Sequence, residues 1–190
     1  MAESVKARQT AEELKAAARR LLTRTTYAEI KITDITEEAG RAAGSFYRHF
    51  TDKDHLLRAL VEDFEAAVRE QVVSTAGHRH SLADRDDVRR HVEAYWVGYR
   101  RHHAEMAGVL QASMVSAEFR EVHARLRGRQ VAIWADHLAE SHGDRAATAA
   151  FAVVSMLEAV CYDRLRGPSP DGGDVVETLT DLIAGGVLGR

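Results

Sequence analysis

Only two prolines, Pro168 and Pro170, occur among 190 residues, and both fall in one short segment. Proline breaks helix interiors, so almost all of the chain is open to long, uninterrupted helices. The apolar residues use that freedom. Leu14, Ala18, Leu21 and Leu22 line one helical face, and Val88, Val92, Tyr95, Trp96 and Tyr99 line another. Phe119, Val122, Leu126, Ile133, Trp134 and Leu138 repeat the pattern. No stretch alternates apolar and polar with β-branched enrichment, so the predicted class is all-α, with about nine helices.

Local signals predict the boundaries. Thr10 and Glu13 form a T-x-x-E capping box, so the first helix is expected to start at Thr10. A short second helix carries Ile32, Ile35 and Ala39 and stops at Gly40. A third holds Phe46 and Phe50, one turn apart. Thr51 or Asp52 then caps a long connecting helix over about residues 53–76. GHRHSLADR (77–85) reads as a loop, and GPSPDGG (167–173) as a turn. Between and after them come a shorter helix with Met106, Val109, Leu110 and Met114, one from Asp144 to Arg166, and a last from Asp174 to Ile183.

Composition narrows the class. Apolar residues make up 45 %, enough for a core. One cysteine, Cys161, cannot form an internal disulfide, and a cytoplasmic location fits. No apolar signal region opens the chain, and the apolar run Ala146 to Leu157 is shorter than the ~20 residues a spanning helix needs, so no membrane role is expected. The net charge of −3 is uneven. Residues 1–60 hold 11 Lys/Arg against 9 Asp/Glu, or +2, and the remainder holds 15 against 20, or −5. A mildly basic head on an acidic body permits DNA binding.

The segment GRAAGSFYRHFTDK (40–53) carries the sharpest signal. A phosphate-binding loop needs G-x-x-x-x-G-K-[ST] after a strand, and here no Lys follows any Gly. A plain helical corner explains Gly40, Phe46 and Phe50. It does not explain Arg41, Ser45, Arg48 and His49, which fall on one helical face without any acid. A DNA-reading helix-turn-helix explains both.

The stretch from about Leu14 to Leu60 resembles the N-terminal domain of the tetracycline-repressor (TetR) family. The matching residues are I32-T-D-I-T-E-E-A-G40 and G44-S-F-Y-R-H-F-T-D-K-D-H-L56. The resemblance implies a helix-turn-helix DNA-binding domain over residues 1–52 and a helical effector-binding and dimerisation domain over 53–190. It places Tyr47 and Lys53 on DNA phosphates, with Thr33 adding a contact. This chain has Ala42 and Ala43 where the family usually carries a Ser-like and a variable base-reading residue. Ala43 offers only a methyl contact, so base reading is expected to shift to Arg41, Ser45, Arg48 and His49. Lys6 and Arg8 are either a basic arm or a solvated tail.

The family's second domain implies a homodimer on a palindromic operator and a small, largely apolar effector. Val153, Leu157, Val160, Val176, Leu179 and Ile183 are the expected dimer interface, with burial in the protomer's own core as the alternative. Tyr95, Trp96, Tyr99, Met106, Leu110, Met114, Phe119, Trp134, His137 and Phe151 are the expected effector lining, although such residues usually just fill core. No H-E-x-x-H, E-x-x-H, G-x-S-x-G or G-x-G-x-x-G occurs, so no metal, cofactor or catalytic residue is expected. The reading is a DNA-binding regulator, a repressor released by its effector. The alternatives are a DNA-binding or architectural factor without an effector, and an all-helical enzyme or metal-binding protein.

Overall fold

A computed structural model of the chain describes residues 2–75, 82, 84–166 and 172–187. Among them are nine α-helices and no strand, as the apolar spacing predicts. They are α1 (Ala2–Leu22), α2 (Ile32–Glu38), α3 (Ala43–Phe46), α4 (Lys53–Thr75), α5 (Arg85–Arg101), α6 (His103–Ser113), α7 (Ala117–His142), α8 (Ala146–Arg164) and α9 (Gly172–Val187). A 3₁₀ turn, Gly143–Arg145, separates α7 from α8.

Some ends differ from the sequence expectation. α1 starts well before Thr10, whose hydroxyl lies inside the helix and donates to the Lys6 carbonyl at 3.0 Å. A threonine bonded back to the preceding turn is no cap, and Lys6 and Arg8 sit on this helix rather than on a separate arm. Asp52 does cap α4, accepting from the His55 amide at 2.7 Å. Asp84 caps α5 by accepting from the Asp87 amide at 2.8 Å. Most of the loop expected at 77–85, and residues 167–171 of the expected turn, lie outside the described residues.

The chain divides into two compact units. One comprises Met1–Ala76 and Ala104–Arg120, the other Gly77–His103 and Glu121–Arg190. The division does not follow the expected boundary at 52/53, because α4 is built into the first unit. Leu14, Ala17 and Ala18 of α1, Ile35 of α2, Phe46 and Phe50 around α3, and Leu56, Leu57 and Leu60 of α4 form its core. Burying one Leu or Phe side chain contributes about 1.5–3 kcal/mol, and no single helix here can do that alone.

Charges tie the same unit together at its edge. Lys15 Nζ lies 2.8 Å from Asp63 Oδ2 and 2.5 Å from Glu12 Oε1. Arg19 spans Glu105 at 2.6 Å and Asp63 at 3.1 Å. Lys15 and Glu105 are buried, so each needs its partner to offset desolvation.

In the second unit α5 packs on α8 and α9. Val88, Val92 and Trp96 meet this core with Val153, Val154, Leu157, Val176, Leu179 and Ile183. A Cβ added at Gly172 would stand 2.3 Å from Trp96 Nε1, so only glycine admits the indole there. Val153, Leu157, Val176, Leu179 and Ile183 are thus buried within one protomer, and Val160 is half-buried. Side chains enclosed by their own subunit's core do not present a face to a partner. The alternative reading, core, describes them.

One stretch within Ala117–Arg164 is apolar and long enough by composition to cross a bilayer. The Gly143–Arg145 turn divides that span into α7 and α8, and Ala146, Ala150, Val154 and Leu157 of its apolar part belong to the core of the second unit.

Cys161 is fully buried on α8, and burial pushes its thiol up to about 12. A thiol becomes nucleophilic only as thiolate. At pH 8 the native protein should leave a thiol reagent such as Ellman's unreacted for hours, and one equivalent should react promptly in denaturant. Fast reaction of the native protein would show the α8 face to be open.

Candidate nucleic-acid interface

The turn between α2 and α3 is fixed by backbone bonding. The Gly40 amide donates to the Glu37 carbonyl at 3.0 Å, and the Arg41 amide donates to the Thr36 carbonyl at 2.8 Å. This is a Schellman closure, which requires a left-handed residue after the last helical turn. Gly40 supplies it with φ of 63°. Arg41 then reaches back to α1, where its Nε donates to Glu13 Oε2 at 2.7 Å.

α3 has only four residues, too few to hold itself as a helix. Its start lacks a side-chain cap, as Ala42 predicts. The Ser45 hydroxyl turns inward instead and donates to the Ala42 carbonyl at 2.7 Å. Phe46, 0 % exposed, anchors the helix. Its ring lies 5.6 Å from that of Phe50. With Phe46 fixed, helical geometry turns Tyr47 and Arg48 away from the core. Ala42, Ala43, Gly44, Tyr47 and Arg48 are exposed, and His49 is half-buried. Tyr47 reaches 62 % exposure. Thr33, in the first turn of α2, is also exposed. Arg48 makes no ion pair among the described residues, and 41–49 contains no acid.

The structure therefore separates the residues expected on DNA. Thr33, Ala43, Tyr47, Arg48 and part of His49 remain outward. Arg41 is held by Glu13, and Ser45 is buried on its own helix. Lys53 also turns inward. Its Nζ donates to the Tyr27 carbonyl at 2.6 Å and the Ile30 carbonyl at 2.9 Å, and it sits 4.3 Å from the centroid of the Tyr27 ring. Burial lowers its pKa below the usual lysine value. Lys53 thus clamps the 27–30 turn onto the start of α4. Tyr27 completes the clamp by donating from its hydroxyl to Asp54.

The expected effector lining is divided in the same way. Phe119 packs edge-on against Tyr27 in the first unit, with ring centroids 6.4 Å apart. That unit also holds Met106 and Leu110, half-buried, and Met114, which is exposed. Tyr95, Trp96, Tyr99, Trp134, His137 and Phe151 belong to the second unit. His137 is engaged by His91, with Nε2 atoms 3.3 Å apart. His91 Nδ1 lies 2.9 Å from the Asp87 carbonyl and donates to it. Phe151 is 52 % exposed and lies beneath the Arg127 guanidinium at 4.4 Å. Exposed Met114 and Phe151 do not line an interior. Sequence reasoning passed over Glu158, a buried carboxylate in this unit, and the His123 and Arg127 that pair it. The available signal was Glu158 itself, an acid on the core-facing side of a strongly apolar helix.

The geometry defines an all-helical protein with an anchored helix-turn-helix and an outward, acid-free reading segment. Comparison agrees. Residues 14–60 match the model for bacterial regulatory proteins of the tetR family. No curated protein matches the chain. A TetR-like transcriptional regulator from Rhodococcus sp. RHA1 is 21 % identical and superposes with a TM-score of 0.74, covering 95 % of this chain and 97 % of that one. A TerR/AcrR-family transcriptional regulator from Aquifex aeolicus VF5 is 14 % identical at a TM-score of 0.62, covering 94 % and 98 %. GusR from Salmonella enterica is 17 % identical at 0.59, covering 95 % and 96 %. Residues 14–60 thus match the tetR-family model, and the chain takes the fold of TetR-like transcriptional regulators.

Two substitutions test the construction. Gly40→Ala meets no atom within 4 Å, so its cost is conformational only. It should destabilise by about 1–2 kcal/mol, seen as a lower urea midpoint at unchanged slope. Lys53→Met should lower Tm by several degrees through loss of two charged hydrogen bonds. It should leave the salt dependence of DNA affinity unchanged. A drop in that slope by about one would return Lys53 to the phosphates.

Proposed function

We propose that the protein is a homodimeric transcription regulator that reads a two-fold symmetric DNA site through Thr33, Ala43, Tyr47, Arg48 and His49. The carrying observation is the outward, acid-free segment with Ala43, Tyr47, Arg48 and His49, held in phase by buried Phe46. Slim Ala42, Ala43 and Gly44 let the backbone approach the duplex. Arg48 has the donor fork that matches guanine, and Tyr47 and Thr33 carry hydroxyls suited to phosphate.

Dimerisation follows from the need to space two reading helices about one DNA turn apart. Exposed apolar residues on α8 and α9 support it: Phe151, and Leu182 at 60 % exposure. The second unit is the place for a small-molecule effector. Such an effector releases DNA only by binding the non-operator conformation more tightly, and DNA must weaken the effector equally.

Affinity selection from random duplex DNA tests the reading. It should enrich an inverted repeat. Arg48→Ala should cost about 1–3 kcal/mol and relax preference at one position per half-site, whereas Tyr47→Phe should weaken all duplexes alike. Failure to enrich any duplex, or equal effects of both variants on every sequence, would sink the assignment.

A further inference from the structure

The second unit holds polar groups where apolar packing would be expected. Glu158 is 7 % exposed, on the face of α8 that also carries Ala150, Val154, Leu157 and Cys161. A buried carboxylate is strongly disfavoured unless paired. Two α7 residues one turn apart pair it. His123 Nε2 lies 2.7 Å from Oε1, and Arg127 Nε lies 3.6 Å from Oε2. Ser155 accepts from the Arg127 guanidinium, which also lies over the Phe151 ring. Phe151, Ser155 and Glu158 share one face of α8, so the guanidinium is held from three points.

Tyr95 and Tyr99 stand one turn apart on α5, which packs against α8, with ring centroids 6.1 Å apart. Tyr99 is 4 % exposed, and its buried hydroxyl has no hydrogen-bond partner; the buried Nε of Arg127 has only Glu158 Oε2, at 3.6 Å and beyond hydrogen-bond length. A buried polar atom left without a partner is costly, so the Tyr99 hydroxyl and the under-satisfied Arg127 Nε call for a missing partner. Burial, with the charge of Glu158 adding to it, raises both phenols above their usual value, and Arg127 opposes the shift at Tyr95. The phenols therefore stay protonated and present O–H donors.

We propose that Tyr95, Tyr99, Arg127 and Glu158 form a binding site for an uncharged aromatic molecule carrying a carbonyl oxygen. Tyr99 O–H and Arg127 Nε–H are the donors to that oxygen, and the tyrosine rings line one side of the flat apolar body. A carboxylate is disfavoured because Glu158 already matches the charge of Arg127 and would repel a second anion. The inference rests on the effector-responsive reading above and names the chemistry of that effector.

Calorimetric titration of the full chain with 2-acetylnaphthalene, 2-ethylnaphthalene and 2-naphthoate tests it. The ketone should bind at least tenfold more tightly than either of the others. Tyr99→Phe should fold with an equal or higher Tm, since it removes an orphaned hydroxyl, and should reduce the ketone's advantage over the ethyl compound to under threefold. Absence of ketone binding, equal binding of ketone and ethyl compound, tightest binding of the naphthoate, or an unchanged preference in Tyr99→Phe would each overturn the site. If wild type and Tyr99→Phe both still bind selected duplex DNA, such a failure removes the ligand class and leaves the regulator reading standing.

Discussion

The side chain on which the reading surface depends is Phe46. α3 is too short to form alone, its start is uncapped, and a serine within it is turned inward. What remains is one aromatic ring locked into the core of the first unit. Because helical residues are set at fixed angles, locking one ring fixes the direction of every neighbour. The same ring that supplies burial thereby aims Tyr47 and Arg48. Stability and recognition in this segment are one packing decision.

Around that ring, the polar residues divide into those that face out and those that hold the scaffold. Gly40 closes α2, Arg41 ties the turn to Glu13, and Lys53 clamps the carbonyls of the 27–30 turn. Two of these, Arg41 and Lys53, look like nucleic-acid contacts when only type and spacing are read. Their partners lie far along the chain: Glu13 is 28 positions before Arg41, and Tyr27 is 26 before Lys53. A basic side chain near a reading helix satisfies either a phosphate or a carbonyl, and only the fold decides which.

The sequence was legible wherever the signal is local. Proline scarcity and apolar spacing gave the helical class; Asp52 and Gly40 marked helix ends; the 44–56 pattern gave the reading segment. It was illegible where an outcome depends on long-range pairing. Thr10 reads as a cap, yet residues before it continue the helix. Val153, Leu157, Val176, Leu179 and Ile183 read as interface before core, because an apolar face does not say whose surface covers it. Met114 and Phe151 read as lining, though both are exposed. Glu158 drew no notice because a single acid gains meaning only with His123 and Arg127 beside it.

The claim that the outward face of residues 33–49 meets DNA is tested most directly by hydrogen–deuterium exchange, with and without a selected duplex. The account predicts slower exchange in the peptides spanning α2 and residues 41–50, with no comparable slowing in α5. Unchanged exchange across 32–50 in a saturated complex would contradict it.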